Sequence, residues 1–292
     1  KRVSDAYRRI RNTARFLLGN LDGFRPEDVL PPADLLPLDR WAVDRASQLQ
    51  DQVRQAYDEY QFLQIYQKVH HFCAVDMGAF YLDVLKDRLY TTGRDSLPRR
   101  SAQTAMYHVL EAMVRWIAPV LSFTAEEIHQ HVPGERGGSI FFETWYEGLF
   151  EMDNAEAERE RWRRVMKVRD EVSKSIEIVR RDGKAGSSLA VEVDVWLDGA
   201  LREALDSLGD ELRFVLLTSE ARVGALAAAP AAAERIRLDE GELALSVTPS
   251  GHAKCVRCWH YRADVGSDPG HPELCGRCVE NVAGAGETRR HA

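Results

Sequence analysis

Residues 254–261 read Lys-Cys-Val-Arg-Cys-Trp-His-Tyr, and residues 275–278 read Cys-Gly-Arg-Cys. Sixteen residues separate the two Cys-x2-Cys pairs, which are Cys255 with Cys258 and Cys275 with Cys278. This spacing lets two tight turns present four thiolates to one tetrahedral metal ion, and it is typical of zinc ribbons. Because thiolate ligation can fold a short segment, we predict a zinc-ribbon domain over residues 251–292 that holds one zinc ion.

Three alternatives to a four-cysteine zinc site are open. Two disulfides would require an oxidising compartment, and the sequence shows no secretory signal pattern. A rubredoxin-type iron site would need more apolar cover than the intervening residues provide. His260 could replace one cysteine, although four cysteines already satisfy zinc. Gly276, inside the second pair, is expected to ease the approach of the backbone to the metal.

Length, composition and charge limit the class of protein. A chain of 292 residues, 45% of them hydrophobic, suggests two or three globular domains. No apolar run approaches the length of a membrane span, so we expect a cytoplasmic protein. The net charge of -7 argues against a nucleic-acid partner, but residues 1–20 hold six Lys and Arg against one acid, and residues 159–184 hold ten against five. Such local basic faces are what a phosphate backbone senses.

Helical periodicity dominates the first half of the chain. Apolar residues recur at intervals of three and four between Ser4, the predicted cap, and Leu21, while Arg8, Arg11 and Arg15 form a basic stripe on another face. A heptad-like seam predicts a long helix from Asp39 that continues through Tyr60 and Leu63. Further helices are predicted over 77–90, 96–117 and 124–131. Residues 1–150 are therefore predicted to form an antiparallel helical bundle, with Cys73 as a small buried hydrophobic residue.

The hydrophobic period changes after Gly183. A helix is predicted over 155–181, with Arg163 and Lys167 on its polar face. Alternating residues then predict a strand over 189–197, followed by a helix over 201–208 and short strands over 214–217 and 242–247. The predicted fold is thus mainly α: a helical bundle, a small α/β junction module within 151–250, and the four-cysteine ribbon.

Four segments carry a resemblance to a known family. Residues 4–21 read Ser-Asp-Ala-Tyr-Arg-Arg-Ile-Arg-Asn-Thr-Ala-Arg-Phe-Leu-Leu-Gly-Asn-Leu, residues 81–90 read Tyr-Leu-Asp-Val-Leu-Lys-Asp-Arg-Leu-Tyr, and residues 183–189 read Gly-Lys-Ala-Gly-Ser-Ser-Leu. Together with the ribbon, these segments resemble the C-terminal part of bacterial isoleucyl-tRNA synthetases, in order and over essentially the whole chain. The valyl, leucyl and methionyl relatives share such a bundle but usually lack the terminal ribbon.

The resemblance implies a class Ia anticodon-binding bundle, a junction module and a zinc domain that together hold the anticodon stem and loop of isoleucine tRNA. It also implies catalytic and editing domains upstream of Lys1, in a monomeric class I isoleucine-tRNA ligase that uses ATP and magnesium there. No His-x-Gly-His or Lys-Met-Ser-Lys-Ser string occurs in this sequence. We therefore predict no catalytic residue here and no activity from this part alone.

The residues that would contact tRNA follow from the chemistry of its anticodon arm. The loop displays unstacked bases for aromatic side chains, whereas the stem offers phosphate and ribose to basic ones. Trp259 can instead pack beneath the ribbon, and the basic helix faces can be ordinary solvated surface. The candidates are Lys254, Arg257, Trp259, Tyr261, Arg262 and Arg277 for the loop, and Arg8, Arg11, Arg15, Arg163 and Lys167 for the stem.

Two other classes of protein remain open. A DNA-repair glycosylase ends in a similar zinc finger, but it needs an N-terminal catalytic proline and a helix-two-turn-helix, which this sequence does not show. A non-enzymatic zinc interaction module is the third class, and saturable, isoacceptor-specific tRNA binding would distinguish the synthetase from it.

Overall fold

The computed structural model describes residues 2–292, so Lys1 lies outside the described part. The chain forms two compact units. The first extends to Leu89 and resumes over Arg94–Ala155, and the second comprises Tyr90–Gly93 and Glu156–Ala292. Within residues 2–292, no helix combines the length and apolar character that a membrane span requires.

Helices build the first unit. The apolar stripe predicted on its first helix is buried, including Ile10, Ala14 and Leu17, which confirms the predicted bundle. Cys73 is fully buried, and desolvation raises the pKa of its thiol to about 12. The helices are α1 (Arg2–Asn20), α2 (Pro37–Asp58), α3 (Phe62–His71), a π-helix (Phe72–Tyr81), α4 (Leu82–Thr91), α5 (Leu97–Ile117) and α6 (Ser122–His129).

Polar contacts at both ends of α2 fix the directions of its neighbours. Tyr57, near the end of α2, donates to the carbonyl oxygen of Trp116 near the end of α5 at 2.7 Å. Asp39, near the start of α2, accepts from Ser101 near the start of α5 at 2.5 Å and from Arg88 on α4 at 2.5 Å. The two helices α2 and α5 are therefore parallel and in direct contact, and the chain from α3 to α4, which connects them in sequence, runs antiparallel to both.

The predicted continuation of α2 through Tyr60 and Leu63 is wrong. Tyr60 adopts a left-handed backbone with φ of 56°. Its N–H donates to the carbonyl of Tyr57 at 3.1 Å, and the N–H of Gln61 donates to that of Ala56 at 2.7 Å. This pair of bonds is a Schellman motif, which ends a helix. Tyr60 and Leu63 consequently leave the core and are 79% and 68% exposed.

The start of α2 also differs from the prediction. The helix begins at Pro37 with Leu36 as its cap, because proline at the first helical position is pre-organised for the helix and lacks an N–H that would be unpaired there. Asp39, which was expected to begin the helix, lies in its first turn and is fully buried.

The second unit contains a four-stranded sheet in the order β2-β1-β4-β3. Strand β1 pairs parallel with β2 and antiparallel with β4, and β3 pairs antiparallel with β4. Side chains of β1 alternate between buried and half-buried, as its sequence predicts. The elements are α7 (Ala155–Arg181), β1 (Val191–Leu197), α8 (Gly199–Asp206), α9 (Leu212–Leu216), β2 (Glu220–Gly224), β3 (Glu234–Leu238) and β4 (Gly241–Pro249).

The strand predicted over 214–217 is wrong, because these residues belong to α9 and its end. Leu217 has a left-handed backbone with φ of 58°, and the N–H of Thr218 donates to the carbonyl of Arg213 at 2.9 Å. This is a second Schellman ending without glycine. By contrast, Gly183 ends α7 in the same conformation, with φ of 72°, at the position where the sequence indicated the change of period.

The rest of the second unit is a small zinc-ribbon fold. It contains β5 (Ala253–Lys254), β6 (Tyr261–Arg262) and α10 (Gly276–Ala283), and β5 pairs antiparallel with β6. The predicted fold class, mainly helical with a small α/β module and a terminal four-cysteine ribbon, is therefore confirmed. The sequence-based boundary near residue 150 lies close to the division after Ala155, whereas the boundary near residue 250 falls inside the second unit and stays a prediction.

Candidate metal centre and nucleic-acid interface

Four buried cysteine side chains converge in the ribbon. The Sγ atoms of Cys258 and Cys275 lie 3.7 Å apart, far beyond the roughly 2.05 Å of a disulfide. A tetrahedral site with zinc-sulfur distances of about 2.3 Å places its sulfurs about 3.8 Å apart. Val265 and Leu274 pack against the cluster. Its sulfur atoms, all within 4.8 Å of one another, belong to Cys255, Cys258, Cys275 and Cys278.

Backbone hydrogen bonds fix the first cysteine pair. The N–H of Cys255 donates to the carbonyl of His260, and the N–H of Trp259 donates to the carbonyl of Cys255, both at 2.9 Å. These bonds close a turn in which Trp259 adopts a left-handed backbone with φ of 67°. A bulky side chain in this region is uncommon, because the Cβ atom crowds the backbone. The turn therefore places an aromatic residue where glycine would be favoured.

The second cysteine pair begins α10. The N–H of Gly276 donates to Oδ2 of Asp264 at 3.0 Å. A Cβ atom on Gly276 would lie 2.9 Å from the same oxygen. The glycine that was expected to ease the approach to the metal thus makes room for the Asp264 carboxylate.

Sulfur–sulfur hydrogen bonds shift the pKa values of three of the cysteines, Cys258, Cys275 and Cys278. Hydrogen bonds from Cys258, and secondly from Cys278, lower the pKa of Cys275 to about 4. The corresponding bonds to Cys258 and Cys275 raise the pKa of Cys278, because the cluster shares its remaining protons. Thiolate is the form that binds a metal, so binding releases those protons.

The arrangement fits a structural zinc ion. Four sulfurs complete a tetrahedral shell and leave no position for water or a substrate, so the centre stabilises the fold and performs no chemistry. His260 is not part of the cluster: its ring is 2% exposed and packs edge-on against Phe214, with 5.6 Å between the ring centroids. His260, and not Trp259, therefore fills the space beneath the ribbon.

Comparison with known proteins identifies the family. Residues 39–195 match the family described as the anticodon-binding domain of tRNA ligase. The chain belongs to this family. Residues 254–281 also match the zinc finger described as found in FPG and IleRS, and together with the four-cysteine cluster this match supports one zinc ion per chain.

Members of the tRNA ligase family align with the whole chain. The isoleucine-tRNA ligase of Thioalkalivibrio sulfidiphilus is 59% identical over 100% of this chain. Those of Methylococcus capsulatus and Alkalilimnicola ehrlichii are 58% identical over 99% and 57% identical over 100% of it. The chain spans 31% of the length of each of these relatives and corresponds to their C-terminal part.

The residues predicted to contact an anticodon loop divide into two groups. Trp259 is 60% exposed, and Nζ of Lys254 lies 5.3 Å from the centroid of its ring. Lys254 has no acidic partner in the described part of the chain. The remaining candidates have contacts within this same unit. The side chain of Arg257 donates to the carbonyl of Thr91 at 2.9 Å, that of Arg277 to Glu287 at 3.0 Å, and that of Arg262 to Glu220. Tyr261 is half-buried, and its backbone N–H donates to Oγ of Ser219 at 2.6 Å.

The basic stripe of α1 is exposed but partly paired. Arg11 donates to both carboxylate oxygens of Glu127 on α6, at 2.6 and 2.9 Å. Arg8 lies 3.4 Å from Asp5, one turn away on the same helix. Arg15 makes no ion pair with any residue that the structure describes. The predicted stripe is thus a surface of this unit, and its contact with tRNA stays a prediction.

The basic face of α7 has acidic partners in its own unit. Glu240, at the β3–β4 turn, accepts from Lys167 at 2.7 Å, from Arg163 at 2.6 Å and from Arg164 at 3.0 Å. The hydrogen bond from Lys167, followed by those from the two arginines, lowers the pKa of Glu240 to about 2. These cations therefore attach α7 to the sheet, which gives Arg163 and Lys167 a structural role besides the predicted contact with tRNA.

Sequence reasoning missed one surface of the first unit. Exposed aromatic residues cluster at one end of the bundle, among them Tyr60, Phe62, Phe123 and Phe141. Tyr60 was predicted to lie with Leu63 in a continuous apolar seam, and Phe62 lies between them. This stretch could be recognised as surface only once the Schellman ending at Tyr60 was known. Phe123 and Phe141 occur in short segments whose apolar residues do not recur at the spacing of a helix or a strand.

Proposed function

We propose that this chain is the C-terminal, tRNA-binding part of an isoleucine-tRNA ligase that works in the cytoplasm. The parent protein is a class I synthetase, a monomer that joins isoleucine to its tRNA with ATP and magnesium in the catalytic part of the polypeptide. The present part holds the anticodon arm of isoleucine isoacceptors. The names of the relatives and the match to an anticodon-binding domain support this proposal.

Trp259 is the observation that carries the proposal. Its backbone has an uncommon left-handed conformation, and its indole is more than half exposed. Packing within the ribbon does not account for this side chain, because His260 occupies the apolar space. A zinc-fixed turn that displays an indole beside Lys254 offers a rigid plane and a cation to an unstacked base and its phosphate.

Binding at the ribbon would contribute to aminoacylation by positioning the tRNA. Energy gained at the anticodon orients the acceptor end in a distant active site, so the effect is on the transition state and not on local chemistry. No residue of this chain is assigned a catalytic role, and the isolated chain should give no isoleucine-dependent pyrophosphate exchange.

The alternative classes have less support. The match over residues 39–195 covers the helical unit, which a glycosylase zinc finger does not explain. A zinc module that only recognises another protein does not require an exposed indole beside an unpaired lysine, although it would tolerate one.

Trp259→Gly is the sharpest test, because glycine keeps the left-handed backbone while removing the indole. We expect zinc content and the circular dichroism of the ribbon to stay unchanged, and affinity for isoleucine tRNA to fall by about 1 to 3 kcal/mol, the range for one base stack. Val256→Ala is the matched control, since Val256 is 54% exposed on the same turn. Loss of zinc in the Trp259→Gly protein would instead assign the indole to the ribbon fold. Full affinity with zinc retained would rule out stacking.

A further inference from the structure

Five helix ends meet at one end of the first unit. The hydroxyl of Tyr7 on α1 lies 3.2 Å from Oγ1 of Thr124 on α6. One turn further along both helices, Arg11 donates to Glu127. The helices α1 and α6 therefore start at the same end of the unit. The segment between α5 and α6 is only four residues long, which places the end of α5 there as well. The contact between Tyr57 and Trp116 adds the end of α2, and α3 starts immediately after it.

This end of the bundle carries most of the exposed apolar surface of the unit. Seven of its ten exposed large hydrophobic residues lie here. Exposure reaches 92% for Phe123 and 75% for Val3. We call these seven residues the end patch: Val3, Tyr60, Phe62, Leu63, Val120, Phe123 and Phe141. Isolated apolar side chains are normal on a surface, but a concentration of this kind marks an interaction site.

The end patch is ordered by contacts among its own aromatic rings. The centroids of Tyr60 and Phe62 are 6.1 Å apart, those of Phe62 and Tyr57 are 6.3 Å apart, and those of Tyr57 and Trp145 are 6.0 Å apart. Beside these rings is a cleft of about 410 Å³, lined by Tyr57, Pro119, Ile140, Phe141 and Trp145 among others. A pre-arranged apolar surface with a cleft loses little entropy when a partner docks.

The charges around the end patch favour a protein partner over RNA. Arg11 is bound to Glu127, and Arg115 is bound to Glu111 and Glu143 at 2.5 Å each. RNA binding depends on cations that are free to neutralise phosphates. Arg54, which lies over the ring of Trp145, has no acidic partner among the side chains that the structure describes. The aliphatic side chains of Val3, Leu63 and Val120 cannot stack on bases.

The polypeptide that precedes α1 in the relatives indicates which partner covers the end patch. Relatives carry about two thirds of their length outside the matched region, and this chain corresponds to their C-terminal part. In such a protein the preceding polypeptide joins the bundle through α1, whose start borders the end patch at Val3. We propose that the end patch is the docking face for the part of the full-length protein that directly precedes residue 1. This inference rests on the proposed function, because it takes that part to be the catalytic region of a tRNA ligase.

Docking at this face gives the bundle a mechanical role. An apolar contact that spans five helix ends fixes the bundle to its neighbour as a rigid lever, whereas a single covalent connection through α1 would act as a hinge. Rigid attachment is what transfers orientation from a bound anticodon arm to a distant reaction centre.

Hydroxyl-radical footprinting of the full-length protein tests the proposal directly. We expect Phe62 and Phe123 to be oxidised several-fold more slowly than their exposure in this structure requires, without tRNA and at every protein concentration. Trp259 and Leu97, which are 60% and 51% exposed and lie outside the end patch, serve as internal references for a surface that stays open. Full reactivity of Phe62 and Phe123 would overturn the proposal. Protection only with tRNA, or only at high protein concentration, would replace the occupant with RNA or with a second copy.

A variant then separates docking from the proposed function. In the full-length protein, Phe62→Ser combined with Phe123→Ser should lower kcat/KM for aminoacylation by about tenfold to a hundredfold, the cost of a small misplacement. Isoleucine-dependent pyrophosphate exchange should be unchanged, and Leu97→Ser, at the opposite end of the unit, is the control. Unchanged aminoacylation in the double variant would contradict the docking role. Absence of aminoacylation by the unmodified full-length protein would contradict the proposed function, while the footprint still decides the docking face.

Discussion

Arg88 donates a hydrogen bond to Asp39 at 2.5 Å, and both side chains are fully buried in the helical unit. Tyr81 donates to the same Asp39 oxygen at 2.7 Å, and Ser101 donates to the other oxygen at 2.5 Å. Burial raises the pKa of Tyr81, so its hydroxyl keeps the proton that it donates. The carboxylate thus joins α2, α4, α5 and the π-helix at one point.

Removing one partner of this buried pair should be strongly destabilising. We expect Asp39→Ala to lower the free energy of unfolding by about 3 to 5 kcal/mol, because Arg88 is then a buried charge without its carboxylate. Asp39→Leu combined with Arg88→Met should lose much less, since no buried charge remains. Urea denaturation followed by circular dichroism measures both. A double variant as unstable as the single one would show that the pair stabilises the unit by more than charge compensation.

His108 should make the helical unit sensitive to mild acid. Its Nδ1 lies 2.7 Å from the hydroxyl of Tyr146, and desolvation lowers the pKa of His108 to about 4. The unfolded chain takes up this proton near pH 6.5 and the folded chain only near pH 4, so stability falls as the pH decreases between these values. The total loss is about 3 kcal/mol. In His108→Gln this part of the pH dependence should disappear, whereas exposed His131→Gln should retain it, as measured by urea denaturation at several pH values.

Loss of one zinc ligand should affect the ribbon alone. We expect Cys275→Ser to remove zinc, as measured by elemental analysis, and to unfold residues around the four-cysteine cluster, because three thiolates hold the metal much more weakly than four. The helical unit has its own core and should keep its helical circular dichroism. Cys73→Ser is the matched control, since Cys73 is buried outside the cluster: it should destabilise the bundle and leave zinc content at one per chain. A reproducible iron signal in the unmodified protein would contradict the zinc assignment.

The arginine stripe of α1 should appear in the salt dependence of tRNA binding. Changing Arg8, Arg11 and Arg15 together to Gln should make the log-log slope shallower by about 0.7 to 0.9 for each phosphate contact that is lost. Glu127→Gln provides the opposite change, because it releases Arg11 from its carboxylate partner, and binding should then strengthen at low salt. An unchanged slope in the triple variant would identify the stripe as ordinary surface.

The features that could be predicted from the sequence are those set by short-range patterns. The cysteine spacing gave the metal cluster, and the apolar period gave the buried face of α1 and the helix over 155–181. Features set by pairs far apart in the chain could not be predicted. Asp39 resembles a helix cap until Arg88 on α4 is placed beside it, and the basic face of α7 resembles open surface until Glu240 is found 77 residues after Arg163.

Helix endings and edge strands explain most of the remaining errors. Tyr60 and Leu217 occupy the left-handed position of Schellman motifs where glycine is usual, so no sequence signal marked the ends of α2 and α9. Strands β2 and β3 form the two edges of their sheet, and their residues are mostly half-buried or exposed. Half-exposed edge strands lack the clear alternation that indicated β1.

The carboxylate of Glu240 has a consequence for how α7 would meet RNA. A phosphate that approached Arg163 and Lys167 would displace a protein carboxylate from these cations, and not a dissolved anion. The RNA would still release its condensed counterions, but the contact would gain less free energy because the hydrogen bonds to Glu240 would be lost. It would also detach α7 from the β3–β4 turn, so that RNA binding at this face would loosen the contact between α7 and the sheet.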